Sequence, residues 1–139
     1  MITVQSMHFN YFVTGSCFTA FIAKVLKRYW KQPRPYGQKG YGMPSTHSQV
    51  IMYFATYTFN VGYQTMPWIV TLIGCFALAV VWSRVQLKHH TLAQVAVGSF
   101  IGIMMAMAWC QAWSTIEPYL DEFYLMYFVN NNITISLKQ

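Results

Sequence analysis

Apolar residues run through this chain in long uncharged blocks, parted by short polar stretches. No Asp, Glu, Lys or Arg occurs in 1–23, 40–83 or 89–116. Blocks of this length can hold helices of about 20 residues, the length needed to cross a bilayer. The pattern predicts four such helices. The first covers about 8–28 and runs into a basic, aromatic exit from Lys24 to Trp30. Gln32-Pro33-Arg34-Pro35 stops it, because a proline pushes the residue before it out of helical geometry. A glycine-rich loop follows from Tyr36 to Met43. The second helix covers about 47–64, and Thr46-x-x-Gln49 fits a capping box at its start. Met66-Pro67 separates it from a third at about 68–86. The fourth runs from about 91 to 114 and ends near Glu117-Pro118. An amphipathic stretch and a polar tail follow from Tyr119. The expected fold class is all-α: an integral membrane helical bundle of about four transmembrane helices, forming a single domain over 1–139 with its core at 9–114.

Composition narrows the function classes. Only 9% of the 139 residues are charged and 55% are hydrophobic, whereas a soluble domain carries about 25% charged residues. A disordered chain and a soluble nucleic-acid binder are both excluded, despite a net charge of +6. Six of the nine basic residues fall between Lys24 and Lys39. Lys24, Lys27, Arg28 and Lys31 would share one face if the first helix continued that far. Trp30, Tyr36 and Tyr41, with Trp68, Trp82 and Trp113 at other span ends, are expected as interface anchors. Cys17, Cys75 and Cys110 sit in apolar segments and read as buried, inert thiols. The N-terminus lacks a basic n-region, so no removable signal peptide is expected. Asn132-Ile133-Thr134 matches a glycosylation acceptor.

Three polar clusters stand at the ends of the predicted helices. They are Lys27 with Arg34-Pro35, then Pro44-Ser45-Thr46-His47-Ser48, then Ser83-Arg84 with His90 and Gln94. Ionisable groups within or beside spans are costly and point to function. The second cluster opens a helix, whose free N–H groups suit a phosphate oxygen. In the third, His90 and Gln94 are i and i+4, so the amide can orient the imidazole. The i+4 partner of His89 is Ala93, which can orient nothing, and this favours His90. Cations and hydroxyls without a nearby carboxylate suit an anion. Mg²⁺ prefers carboxylate and water oxygens, so no metal and no cofactor are expected. Phosphoryl transfer needs charge stabilisation, an in-line nucleophile and a proton for the leaving group. Lysine and arginine supply the first, and two histidines can supply the others.

These clusters, in this order, resemble the three-part signature of the type 2 phosphatidic acid phosphatase superfamily. Lys27 to Arg34-Pro35 matches its first element, Pro44-Ser45-Thr46-His47 its second, and Ser83-Arg84, His90 and Gln94 its third. Thr46 stands where the superfamily usually has glycine, and Gln94 where it usually has aspartate. Pro-Ser-Thr-His-Ser, with the Ala-Gln-Val that follows His90, is similar to the dolichyl-diphosphatase branch. The resemblance implies a metal-independent hydrolase that converts dolichyl diphosphate to dolichyl phosphate and recycles the carrier for protein N-glycosylation. It implies that His90 is the nucleophile, passing through a phosphohistidine, and that His47 protonates the leaving oxygen. Lys27, Arg34, Ser45 and Arg84 would hold the phosphates, with a backbone N–H near Thr46, and Gln94 would orient His90. It further implies an endoplasmic reticulum membrane protein with its site facing the lumen, whereas the basic 24–39 segment alone would favour the cytosol. The superfamily usually has about six spans with the first motif closing the third, so two N-terminal spans are expected to be absent here. The residues alone also leave open a phosphatase of another lipid phosphate or prenyl diphosphate, and a non-catalytic membrane protein that binds anionic lipid.

Overall fold

A computed structural model describes the backbone of residues 2–136 and the side chains of 6–127. Asn132 of the glycosylation tripeptide has its side chain outside the described residues. Four α-helices form a bundle: α1 (Ile2–Trp30), α2 (Thr46–Gly62), α3 (Pro67–Gln86) and α4 (Leu92–Ser136). Three of them, α1, α3 and α4, are long and apolar enough to cross a membrane. At 17 residues α2 is shorter than these, about 25 Å against a hydrocarbon core of about 30 Å.

The helix ends follow from local chemistry. Helix α1 stops at Trp30, and Lys31 takes a left-handed φ of 47° while its N–H still reaches Lys27 O at 3.1 Å. Lys31 therefore leaves the face that Lys24, Lys27 and Arg28 follow. Pro67 opens α3 at the first helical position, where a missing N–H costs nothing. The expected end of the fourth span near Glu117-Pro118 is overturned: α4 continues through Pro118 to Ser136. The proline removes a single hydrogen bond, to Ser114 O, and the helical residues on both sides of it outweigh that loss.

Helix α2 packs against all three other helices. Its contact with α4 is unusually close. Gly98 and Gly102 lie one turn apart on α4, followed by Ala106, which is fully buried. They face Ser45, Gln49 and Tyr53 of α2, spaced by the same four residues. Small residues at this spacing let membrane helices approach backbone to backbone. A Cβ on Gly98 would stand 2.6 Å from Ser45 O, and one on Gly102 would collide with Gln49 O. Gly98→Ala and Gly102→Ala should therefore lower the melting temperature in detergent, each by an overpacking cost of roughly 1–3 kcal/mol. Unchanged melting in both variants would contradict this packing.

The capping box expected at Thr46-x-x-Gln49 does not form. Ser45 is the N-cap and makes no side-chain cap bond. Gln49 is fully buried and turned towards α1, where its Nε2 donates to Thr19 O at 2.9 Å. Trp113 is also not an interface anchor. It is buried and packs on His8 and Tyr11, while Trp68 and Trp82 are exposed as expected. Cys17 and Cys75 are exposed on helix faces rather than buried, and Cys110 is intermediate.

Candidate active site

Consecutive antiparallel helices bring the C-terminal ends of α1 and α3 and the N-terminal ends of α2 and α4 to one end of the bundle. All three polar clusters therefore meet there, although they lie up to 67 residues apart in sequence, from Lys27 to Gln94.

Gln94 joins them. It is 1% exposed, in the first turn of α4. Its Oε1 accepts from His90 Nδ1 at 3.2 Å and from the Thr91 N–H at 3.2 Å. Its Nε2 donates to Pro33 O at 3.0 Å and to Gln32 Oε1 at 3.3 Å, both in the segment that joins Lys27 to Arg34. Its backbone carbonyl accepts from the Ser45 N–H at 3.1 Å. The Gln94 N–H donates to Thr91 Oγ1 at 3.3 Å, which closes a reciprocal capping box, Thr91-x-x-Gln94. The box expected on α2 belongs to α4.

These neighbours fix the chemistry of His90. Thr91 N–H can only donate, and Pro33 O can only accept. The Gln94 amide therefore has one workable orientation, with its oxygen towards His90. A ring nitrogen that faces this acceptor must donate to it, so in the neutral imidazole Nδ1 carries the proton and Nε2 the lone pair. The His90 backbone is held as well: the N–H groups of His89 and His90 both donate to Arg84 O at 3.2 Å. His90 is 5% exposed. Burial is the main cause that holds its pKa below the ordinary 6.5, and the charges of Lys27 and Arg34 act in the same direction. Hydrogen bonds to the Gln94 side chain and the Gly42 backbone oppose them.

Around this imidazole lie the cations. Lys27 is in the last turn of α1, within electrostatic reach of Arg34. Arg34 Nε donates to Tyr41 O at 3.5 Å, beside the isolated bridge between Pro33 and Tyr41. Arg84, in the last turn of α3, has a buried Nε with no hydrogen-bond partner among the described residues. His47, exposed in the first turn of α2, lies in the field of Arg84, Lys27, Arg34 and His89. The N–H groups of Thr46, His47 and Ser48 are the first of α2 and have no carbonyl one turn back to bond. Ser45 is fully buried at the helix start, and its Oγ accepts from Ser48 Oγ at 3.0 Å, which leaves its own O–H to donate.

Several contributors escaped the sequence reading. Gly42 is one: a Cβ there would stand 2.6 Å from both polar atoms of the Gln94 amide, so only glycine lets the loop close on it. The loop's Gly42 N–H donates to Gln32 O at 2.7 Å. Thr91 is another, and its signal was legible, since Thr91-x-x-Gln94 has capping-box spacing.

The model of the PAP2 superfamily matches residues 9–117. Dolichyldiphosphatase 1 of Dictyostelium discoideum is 36% identical over 121 residues, covering 76% of this chain and 53% of the relative. Dolichyldiphosphatase 1 of Homo sapiens is 32% identical over 129 residues, covering 78% and 54%. Lipid phosphate phosphatase gamma of Arabidopsis thaliana is 33% identical over 115 residues, covering 71% and 50%. The chain thus spans about half the length of the curated relatives it matches. No solved structure gives a significant match.

Proposed function

The chain belongs to the PAP2 superfamily, and from that premise we propose that it hydrolyses dolichyl diphosphate to dolichyl phosphate and inorganic phosphate. The observation that carries the reading is His90: a buried imidazole whose Nδ1 is tied to Gln94 beside the cations of the other clusters. Similarity to dolichyldiphosphatases supports the substrate.

The terminal phosphate is held by Lys27, Arg34 and Arg84 and by the first N–H groups of α2. Helix N-termini and arginine forks both favour phosphate oxygens. His90 Nε2 attacks the terminal phosphorus, forming an N–P bond as the bond to the bridging oxygen breaks. His47 gives its proton to that oxygen, and dolichyl phosphate leaves. His47, now neutral, takes a proton from water as the water attacks the phosphorus. The N–P bond breaks, inorganic phosphate departs, and both histidines return to their starting states. Lysine and arginine balance the charge on the equatorial oxygens throughout. On this reading the protein lies in the endoplasmic reticulum membrane, with its site towards the lumen, and recycles the carrier for protein N-glycosylation.

The test is phosphate release by the full chain in detergent. Release from dolichyl diphosphate that persists in excess chelator is the expected result. Release from phosphatidate but not from the diphosphate would transfer the activity to another lipid phosphate, as the similarity to lipid phosphate phosphatase gamma allows. No release from any lipid phosphate would leave a non-catalytic membrane protein.

A further inference from the structure

A narrow groove descends from His47 between α2 and α3. It has a volume of 230 Å³ and is lined by His47, Val50, Ile51, Phe54 and Val80. On α2 these residues follow i, i+3, i+4, i+7 spacing, so they form one stripe about 10 Å long below the histidine. On α3, Val80 lies one turn from Arg84, on the same face. The groove thus runs from His47 into an apolar depth, with Arg84 one turn beyond Val80 on α3. Two larger cavities, of 340 and 370 Å³, open around His8 and Tyr57 at the opposite end of the bundle, and neither includes a residue of the three clusters.

The chemistry says which side of the site must receive a lipid. In-line displacement puts the nucleophile and the leaving group on opposite sides of phosphorus. In a lipid diphosphate the leaving group carries the hydrocarbon chain. That chain must then leave on the side of the acid, His47, and away from His90. The groove touches His47 and does not touch His90. Its volume is below the 300–1,000 Å³ usual for a whole small-molecule pocket, so it suits the first part of one chain and not two chains side by side.

We propose that the α2–α3 groove, through Val50, Ile51, Phe54 and Val80, receives the first isoprene units of a single-chain polyprenyl diphosphate. The inference rests on the proposed reaction and adds the subsite that positions its substrate. Bilayer and groove are equally apolar, so the groove gains little from burial. It acts by aim: a seated chain fixes the bridging oxygen next to His47.

Two measurements on the full chain test this. In the first, wild-type protein in detergent is labelled with a polyprenyl diphosphate bearing a photoreactive group on its first isoprene units, and the adducts are mapped by mass spectrometry. Labels on α2 around residues 50–54 and on α3 around residue 80 are expected. Labels confined to α1 or α4 would overturn the groove. In the second, Ile51→Trp fills the groove. The ratio of kcat/KM for long polyprenyl diphosphate to that for methyl diphosphate, which carries no isoprene unit, should then fall roughly tenfold to a hundredfold, as a small misplacement of reacting atoms does. A ratio unchanged from wild type would also overturn it. Labelling in the groove by a wild-type protein that releases no phosphate would sink the proposed reaction and leave the groove standing. Equal labelling by a photoreactive phosphatidate would overturn the single-chain assignment.

Discussion

His90→Ala should abolish both turnover and the capture of labelled phosphate on the protein. Its Nδ1 is tied to the Gln94 oxygen, and the proposed reaction uses the other ring nitrogen to attack phosphorus. His47→Ala should behave differently. Loss of a general acid typically costs about 10²–10⁴-fold in rate, and that loss is confined to substrates whose leaving oxygen needs a proton. With an activated substrate such as an aryl phosphate, His47→Ala should still form the phosphohistidine and then release it slowly, because water has also lost its base. His89→Ala should be mild, since the position four residues on is Ala93. Quenched-flow trapping of acid-labile phosphoprotein separates the three variants. Trapped phosphate in His90→Ala, or a dead His89→Ala beside an active His90→Ala, would reassign the nucleophile.

The acidic limb of kcat/KM should lie below pH 6.5, because burial, aided by Lys27 and Arg34, lowers the His90 pKa from that value. The sign follows from the role: a nucleophile must be neutral, and a lowered pKa keeps it neutral further into acid. Gln94→Glu should move the limb upward, because a carboxylate beside the ring favours its charged form. The same change replaces a donor by an acceptor opposite Pro33 O and Gln32 Oε1. It should therefore also reduce the rate at the plateau, by loosening the segment that carries Arg34. Gln94→Leu removes both effects at once and should cost about 1–2 kcal/mol, roughly tenfold or more in rate, with no upward shift of the limb. If the three proteins share one acidic limb and Gln94→Leu keeps full activity, the amide has no part in the site.

The number and order of the helices were legible in the sequence because uncharged blocks and prolines mark them directly. The pairing of His90 with Gln94 was legible for a similar reason, since i and i+4 on one helix meet whatever the rest of the fold does. What failed was long-range. Thr46-x-x-Gln49 has capping-box spacing, yet Gln49 bonds Thr19 across to α1, and no local pattern reveals a competing partner 30 residues away. Trp113 looked like an anchor from its place at a span end, but its side faces His8 and Tyr11. Pro118 looked like a stop. In a helix with a long apolar run before it, one missing hydrogen bond did not end the helix. The close approach of α4 to α2 was written in Gly98-x-x-x-Gly102, a signal with a known physical meaning that only the partner helix makes specific.

The clasp between the second and third clusters is made by main-chain atoms: the Ser45 N–H meets the Gln94 carbonyl, and Gly98 lies against the Ser45 backbone. A bond of that kind survives any substitution that leaves the backbone in place. Exchange of Thr46 or Gln94 leaves this main-chain clasp in place, while the bonds of the Gln94 amide to His90, Gln32 and Pro33 change with its side chain. The frame of the site is thus part backbone, at Ser45 and Gln94, and part side chain, at the Gln94 amide. The positions with least room to change are Gly98 and Gly102, where an added Cβ meets main chain that cannot step aside.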